Sequence, residues 1–300
     1  MPHMTTRITA TLFNDPGCPW GYSAIPALRT LEWRYGDQLD WRLALIGLTE
    51  TAQQYYDRGY TTRSNADGMI GFRRFGMPLN AEPRERLSAT APACRAIVAA
   101  RLDAPGSEWR VMRAIQLAYF TTAMVLEDTT ALRDAISRMA GVDADAIIAR
   151  LDEEDVTRAY EADRTLTRSA AGTPGAMQGK TTNTDGAERY TAPSIIFERD
   201  GQRLDATGFQ PVEAYDLLVA NLDPTLTRRA PAQSAADVLD AFADSVHGPW
   251  ISTAEVAAVM TAGNDAPDRD AAERELIELA DVGRARRIRM GDGAVWSAAG

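Results

Sequence analysis

The sequence predicts a mixed α/β fold in two parts, a sheet interrupted by a block of helices and then a small α+β domain. Strand-like runs flank a helical stretch within the first 50 residues, residues 51–175 have helical spacing, and strand-like runs return near residue 190. A chain of 300 residues is long enough for two domains. We therefore expect one domain over residues 1–228, a linker over 229–234 and a second domain over 235–300.

The first unit is predicted to be a strand, a helix and a second strand. Residues 7–13 (RITATLF) alternate and are rich in β-branched and aromatic types, which is typical of a strand. The turn NDPG follows, and a helical pattern then runs over residues 19–35. Residues 39–48 form the second strand. The turn between the first strand and the helix carries Cys18.

Residues 51–175 are predicted to be a helical insertion, because Gln, Arg, Ala and Glu recur there at helical spacing with few β-rich runs. A glycine at 141 and an aspartate at 143 indicate a break followed by a helix N-cap. The candidate helices cover residues 64–74, 88–102, 107–120, 129–140, 143–150 and 153–170.

The strand pattern returns after residue 190. SIIFE, the turn RDG and QRLDATG predict a β-hairpin, and FQPVEAYDLLVANL predicts an amphipathic closing helix with proline in its first turn. A strand–helix–strand unit, a helical insertion, and then two strands and a helix make a thioredoxin-like fold with a helical insertion.

The tail, residues 235–300, has three predicted helices and then a β-hairpin around GDG, and this order resembles a winged-helix domain. Residues 231–300 contain six arginines, no lysine and twelve acidic residues. This acidic balance disfavours nucleic-acid binding and favours a protein-contact or dimerisation module. The contrary signal is a cluster of basic residues at the predicted wing, namely Arg284, Arg286, Arg287 and Arg289.

Composition excludes several classes of protein. The net charge of −10 argues against a broad nucleic-acid surface. No run approaches the length of a membrane span, and the first residues lack a basic segment followed by a long apolar core. Two cysteines cannot make the disulfide framework of a secreted protein. We therefore expect a cytoplasmic protein without membrane attachment.

The turn Cys18-Pro19-Trp20-Gly21 is the strongest chemical signal. A thiol at the start of a helix lies near unpaired amides and the positive end of the helix dipole, which predicts a lowered pKa and a reactive thiolate. Pro19 suits the first helical position because its missing N–H would have had no partner there. Trp20 is expected to shield the thiol or contact a substrate. The alternative is a buried structural cysteine.

A second signal is the tripeptide Thr191-Ala192-Pro193 directly before a predicted strand. Proline is tolerated at a strand entry, and an X-Pro bond adopts the cis form at modest cost. By itself this pattern is weak. It gains specificity because it follows the Cys-Pro-Trp turn in the order expected of a thioredoxin-like sheet.

The sequence resembles the DsbA-like thioredoxin-fold proteins, including the FrnE-type oxidoreductases, over about residues 7–225. The resemblance rests on DPGCPWGYSAIPAL, the helical insertion, TAPSIIF and the closing helix. It implies that Cys18 is the attacking thiol and that Ala192-Pro193 is the cis-proline loop, which presents backbone to a peptide or thiol. The insertion segments TAPACRAIVAARL and EWRVMRAIQLAYF also look like the branch that includes thioredoxin-fold protease adaptors.

Gly21 departs from the dithiol pattern of that family, and this leaves three functions open. The leading hypothesis is a monothiol thiol–disulfide oxidoreductase that uses Cys18. The second is a transferase or isomerase that depends on glutathione or mycothiol, as in the kappa-class transferases and hydroxychromene carboxylate isomerases. The third is a non-catalytic adaptor. No bound cofactor is expected, and a low-molecular-weight thiol would serve as cosubstrate. The tail is a candidate surface for a protein partner.

Other candidate residues carry weaker signals. Cys94 lies in a helical segment with apolar neighbours and is expected in the core. The only two histidines, His3 and His247, have no metal-ligand spacing with Cys18, so no metal site is expected.

Overall fold

The computed structural model describes residues 7–299, and His3 lies outside the described residues. The N-terminal part alternates strands and helices as far as the second strand. Its elements are β1 (Ile8–Asn14), α1 (Pro19–Ser23), α2 (Ile25–Tyr35) and β2 (Leu39–Leu45). The helices of the insertion are α3 (Gln53–Asp57), α4 (Thr62–Phe72), α5 (Ala91–Asp103), α6 (Ser107–Thr121), α7 (Thr129–Met139), α8 (Ala144–Ala149), α9 (Glu154–Thr167) and α10 (Pro174–Met177).

The chain then returns to strands and closes with the tail. The returning elements are β3 (Thr181–Thr182), β4 (Arg189–Tyr190), β5 (Ser194–Arg199), β6 (Gln202–Ala206) and α11 (Val212–Leu222). The tail contains α12 (Ala235–Phe242), β7 (Ile251–Ser252), α13 (Thr253–Met260), α14 (Arg269–Asp281), β8 (Ala285–Met290) and β9 (Gly293–Ala298).

The central sheet has four strands in the order β2-β1-β5-β6. β1 pairs with β2 in parallel and with β5 in antiparallel, and Leu12 faces Leu43 on one side and Ile195 on the other. All three of these side chains are buried, as expected for a strand in the middle of a sheet covered by helices. Because β1 is central, the turn that follows it lies over the middle of the sheet edge.

The single helix predicted over residues 19–35 is two helices in the structure. α1 ends at Ser23, Ala24 separates the two, and α2 begins at Ile25. Pro26 lies in the first turn of α2, where its ring fits and its missing N–H costs little. In the middle of a longer helix the same proline would have removed a hydrogen bond, so the chain starts a new helix there.

The helical insertion follows the predicted boundaries closely. Asp143 caps α8 as predicted, accepting a hydrogen bond from the backbone N–H of Ala146 at 3.0 Å. α5 packs against α6 and α9, and α9 packs against β2. Cys94 is fully buried in α5. The insertion thus covers the sheet next to β2 and brings α5 close to the turn that follows β1.

In the tail, α12, α13 and α14 pack on a three-stranded antiparallel sheet in the order β7-β9-β8. The first helix ends at Phe242, four residues earlier than predicted, and β7 has only two residues and no sequence pattern of its own. Residues 229–234 are irregular, and the indole N–H of Trp33 donates to the carbonyl of Ala230 at 2.7 Å. Winged-helix similarity stays a prediction.

The tail packs closely on the rest of the chain through α13 and α2. Glu255 of α13 is fully buried, and its carboxylate accepts hydrogen bonds from the guanidinium groups of Arg29 on α2, at 3.1 Å, and Arg113 on α6. Ala254 and Val295 of the tail belong to the main hydrophobic core. Within residues 7–299, no helix combines the length and apolar character needed to cross a membrane.

Candidate active site

Cys18 lies at the N-cap of α1, four residues after the end of β1. Its backbone is extended (φ −86°, ψ 115°), and its carbonyl accepts the first helical hydrogen bond from the N–H of Tyr22 at 3.0 Å. Pro19 occupies the first helical position, as predicted. The Cys18 thiol donates to the carbonyl of Ala192 at 3.4 Å, across 174 residues of sequence. The structure therefore brings the two predicted halves of the site together.

The thiol of Cys18 is buried, with 6% of the residue exposed. Burial raises the pKa of Cys18 to about 11, and hydrogen bonding to the backbone of Gly21 and Trp20 lowers it by less. The predicted lowering of this pKa is therefore wrong. α1 has only five residues, and its start does not outweigh the cost of placing a thiolate away from water.

Asp15 is a buried carboxylate beneath the active-site turn that sequence reasoning treated only as a turn former. It accepts hydrogen bonds from the backbone N–H groups of Leu48 (2.9 Å) and Gly17 (2.8 Å) and from the hydroxyl of Thr90 (3.0 Å). Burial raises the pKa of Asp15, and these hydrogen bonds act in the opposite direction. Its negative charge adds to the burial that raises the pKa of Cys18.

Cys94 also reaches this carboxylate. Its thiol donates to Oδ2 of Asp15 at 3.7 Å, so α5 places the second cysteine of the chain under the same turn. Burial raises the pKa of Cys94 well above that of a free thiol. Both cysteines are free thiols, and only Cys18 contacts the cis-proline loop. Cys94 thus packs beneath the turn and donates to Asp15.

The loop of Thr191, Ala192 and Pro193 has a cis peptide bond between its last two residues. Its geometry is held by side chains on both sides. The hydroxyl of Ser194 donates to the carbonyl of Thr191 at 2.6 Å, and the hydroxyl of Thr191 donates to the carbonyl of Lys180 at 3.0 Å. These contacts fix the carbonyl of Ala192 against the Cys18 thiol.

Arg189 is a second buried charge that the sequence analysis missed. It precedes the cis-proline loop by two residues, and its Nη1 donates to the carbonyl of Tyr190 at 3.0 Å. Burial lowers the pKa of Arg189, and its positive charge opposes the rise in the pKa of Cys18. A cation next to Asp15 and Cys18 partly balances the negative charge under the turn.

Gly21 stands where a dithiol site would have its second cysteine. A Cβ atom built on Gly21 would overlap the side-chain oxygen of Asn14. Asn14 is buried, and the same oxygen accepts a hydrogen bond from the N–H of Asp15 at 2.8 Å. The last residue of β1 therefore fills the space of a side chain at position 21, and the turn is built around glycine.

Trp20 is 40% exposed and belongs to a group of rings beside the thiol. Its ring centroid lies 4.9 Å from Phe72, 5.7 Å from Phe75 and 5.4 Å from Phe209. We call these four residues the aromatic rim. Edge-to-face packing of this kind holds the rings in place while part of Trp20 stays exposed to solvent.

His247 does not contribute to this site. Its ring packs against Trp109, with centroids 4.7 Å apart, and its Nε2 lies 3.6 Å from a carboxylate oxygen of Glu32. Burial lowers the pKa of His247 to about 4, so the ring is neutral at neutral pH. Among residues 7–299, no three His, Cys, Asp or Glu side chains are grouped as a metal site would require.

Comparison with solved structures identifies the fold. A candidate protein disulfide isomerase from Nitrosomonas europaea is 17% identical, matches 73% of this chain and 97% of its own, and superposes with a TM-score of 0.53. A probable DsbA oxidoreductase from Streptomyces coelicolor is 16% identical, matches 76% of this chain and 93% of its own, and gives a TM-score of 0.55. A cytosolic disulfide reductase, DsbM, from Pseudomonas aeruginosa is 20% identical over 72% of this chain and 97% of its own, with a TM-score of 0.48.

No family model matches the chain. No curated protein matches it either. The structural likeness therefore carries the comparison, and the fold conclusion rests on the two structures whose TM-scores exceed 0.5. Each of them is matched over nearly its whole length. They confirm the thioredoxin-like fold predicted from the sequence, and the chain has a DsbA-like thioredoxin fold.

Proposed function

We propose that this protein is a thiol–disulfide oxidoreductase that works with one active-site thiol, Cys18. The observation that carries the proposal is the contact between the Cys18 thiol and the carbonyl of Ala192 at the end of the central strand. This contact places a free thiol directly against the backbone of the cis-proline loop, and the turn that carries the thiol also carries Trp20, which is 40% exposed. The packing of Asn14 against Gly21 supports a one-thiol site, because it leaves no room for a second thiol in this turn.

The chemistry needs two exchange steps at Cys18. The sulfur of Cys18 attacks one sulfur of a disulfide, a mixed disulfide forms, and the other sulfur leaves as a thiol carrying the proton lost by Cys18. An external low-molecular-weight thiol then attacks the sulfur of the bound partner, regenerates Cys18 and leaves joined to that partner. A second molecule of the external thiol releases the partner as a thiol and forms a symmetrical disulfide. The sum is one disulfide reduced and two external thiols oxidised.

The raised pKa of Cys18 limits the rate of this reaction. A pKa of about 11 leaves roughly one Cys18 in ten thousand ionised at neutral pH. The attack is therefore slow in the resting site and accelerates as the pH rises. A reducing compartment such as the cytoplasm supplies the external thiol, so the proposal places the protein there.

The test is intact-protein mass spectrometry after exposure to glutathione disulfide. We expect one glutathione adduct on the wild-type chain and on Cys94→Ser, none on Cys18→Ser, and removal of the adduct by reduced glutathione. Cys94→Ser is the matched control because Cys94 is a buried free thiol near the same turn. Absence of an adduct on folded wild-type protein, with labelling of both cysteines after unfolding, would contradict the proposal.

The second candidate is a non-catalytic adaptor, and the burial of Cys18 favours it because a protonated, enclosed thiol is a poor nucleophile. An adaptor would bind its partner equally well with Cys18→Ser. A transferase or isomerase would instead hold glutathione without forming a mixed disulfide. Equilibrium dialysis of Cys18→Ser with reduced glutathione separates that case from the other two.

A further inference from the structure

Lys180 is the only lysine in the chain, and the other 31 basic side chains are arginines. It lies beside the cis-proline loop, because its carbonyl accepts the hydroxyl of Thr191 at 3.0 Å. Its side chain passes over Gly208, where a Cβ atom would lie 3.9 Å from Cδ of Lys180. Lys180 is exposed, so its ammonium group is free to reach solvent next to the loop.

Gly208 links Lys180 to the aromatic rim. Its backbone N–H donates to the hydroxyl of Ser194 at 3.0 Å, and the next residue, Phe209, packs on Trp20. Trp20 is two residues after Cys18 in the active-site turn. Lys180 therefore lies beside the segment that carries Phe209 of the aromatic rim.

Arg74 is a second exposed cation, and it packs on the aromatic rim. Its guanidinium carbon lies 5.8 Å from the ring centroid of Trp20 and 4.7 Å from that of Phe75. Such stacking positions the cation without neutralising it. Within residues 7–299, neither Arg74 nor Lys180 forms an ion pair, although the chain as a whole carries a net charge of −10.

The carboxylates of the β3–β4 hairpin, which follows Lys180 directly, are already occupied. On the β3–β4 hairpin, Asp185 forms ion pairs with Arg164, at 3.2 Å, and Arg168, and Glu188 accepts a hydrogen bond from Thr181. Lys180 and Arg74 are thus exposed cations without an ion-pair partner among the described residues.

We infer that Lys180 and Arg74 select a low-molecular-weight thiol or disulfide that carries carboxylate groups, in preference to a neutral one such as a sugar thiol. The inference rests on the proposed exchange at Cys18 and names the substrate class of that site. Lys180 lies beside the cis-proline loop and Arg74 lies over Trp20 of the active-site turn, so a disulfide with a carboxylate at each end gains a favourable charge interaction from either cation. An exposed pair of this kind contributes about a two- to fivefold gain in rate per cation at low salt.

The test compares three small disulfides that differ in charge: 3,3′-dithiodipropionate is dianionic, bis(2-hydroxyethyl) disulfide is neutral and cystamine is dicationic. The measured quantity is the second-order rate of adduct formation on Cys18, divided for each probe by its rate with free 2-mercaptoethanol. The variants are Lys180→Gln, Lys180→Arg and Arg74→Gln. Arg7→Gln is the matched control, because Arg7 is an exposed arginine at the opposite end of β1 from the active-site turn.

We expect the wild-type order to be dianionic, then neutral, then dicationic. Lys180→Gln and Arg74→Gln should each reduce the advantage of the dianionic probe about two- to fivefold, Lys180→Arg should retain it and Arg7→Gln should leave it unchanged. Salt at 1 M should reduce the differences in rate among the three probes, because the screening length is then about 3 Å.

Equal normalised rates for the three probes, or an order that Lys180→Gln and Arg74→Gln both leave intact, would overturn the inference while leaving exchange at Cys18 in place. No adduct with any probe would instead overturn the proposed function. A final comparison uses glutathione disulfide and the disulfide of an acidic, cysteine-containing peptide. Faster adduct formation with the peptide disulfide would overturn the assignment to a small thiol.

Discussion

The side-chain oxygen of Asn14 occupies the space that any side chain at Gly21 would need. This relationship predicts the outcome of restoring a second thiol. Gly21→Cys alone should lower the free energy of unfolding by about 1–3 kcal/mol, as overpacking does, and its new thiol should form little disulfide with Cys18. The double variant Asn14→Ala/Gly21→Cys should form that disulfide on mild oxidation. Thiol titration and urea unfolding measure the two effects. A stable, readily oxidised single variant would show that Asn14 moves aside at little cost.

The ionisation of Cys18 should control its reactivity with iodoacetamide. Because burial raises its pKa to about 11, the alkylation rate should climb about tenfold per pH unit from pH 7 to pH 10 without a plateau. Cys94 should react more slowly at every pH, because it is fully buried in α5. A plateau of the Cys18 rate below pH 8 would mean that the folded site stabilises the thiolate.

The same shift has a consequence for stability. The folded pKa of Cys18 lies above that of an unfolded cysteine, near 9, so its contribution to stability is fully present below pH 9 and is lost as the pH rises towards 11. Cys18→Ser should therefore flatten the fall in the free energy of unfolding between pH 8.5 and pH 10. Urea titrations of both proteins across that range provide the check, and parallel curves would contradict the shift.

Glu255 should be the most sensitive position in the tail. Its buried carboxylate is paired with two buried guanidinium groups, and the nearby Arg113 and Arg29 outweigh burial and lower its pKa. Glu255→Gln removes the carboxylate paired with Arg113 and leaves Arg29 with Glu32 alone, which costs about 3–5 kcal/mol. The matched control is Glu273→Gln, which loses only an exposed pair with Arg287 and should cost at most about 1 kcal/mol. Equal costs in chemical denaturation would contradict the role assigned to Glu255.

The tail should not bind duplex DNA tightly. Residues 231–300 carry twice as many acidic as basic side chains, and Arg287 lies 3.8 Å from the carboxylate of Glu273. Fluorescence anisotropy of the full chain with random duplex DNA should show no saturable binding at micromolar protein and physiological salt. Micromolar binding that weakens steeply with salt, and that disappears in Arg286→Gln/Arg287→Gln, would make the tail a nucleic-acid module.

Much of the fold could be predicted from the sequence because its signals are local. Apolar residues recur at a strand or helix spacing, and turn residues mark the ends, in three places. These are the strand before Cys18, the helices of the insertion and the hairpin after the cis-proline loop. The pKa of Cys18 could not be predicted, because the burial that raises it comes partly from Ala192, 174 residues away. β7 was not predicted, because two residues are too few to show the alternation of a strand. A simple count of residue types would have drawn attention to Lys180.

Asp15 and Asn14 were missed for a different reason. Asparagine and aspartate before Pro-Gly are typical turn formers, and that explanation was sufficient at the level of the sequence. In the structure both side chains are buried and satisfy backbone N–H groups beneath the thiol. Two polar residues directly after a buried central strand are the signal that could have indicated this role.

The buried contact of Glu255 with Arg29 and Arg113 also determines how the molecule unfolds. A chain shortened to residue 228 would keep both arginines in the thioredoxin-like part but lose the carboxylate that pairs with Arg113 and shares Arg29 with Glu32. It would also lose the core contacts of Ala254 and Val295. The tail and the thioredoxin-like part therefore make one cooperative unit, and calorimetry of the intact protein should show a single unfolding transition in place of one for each sequence domain.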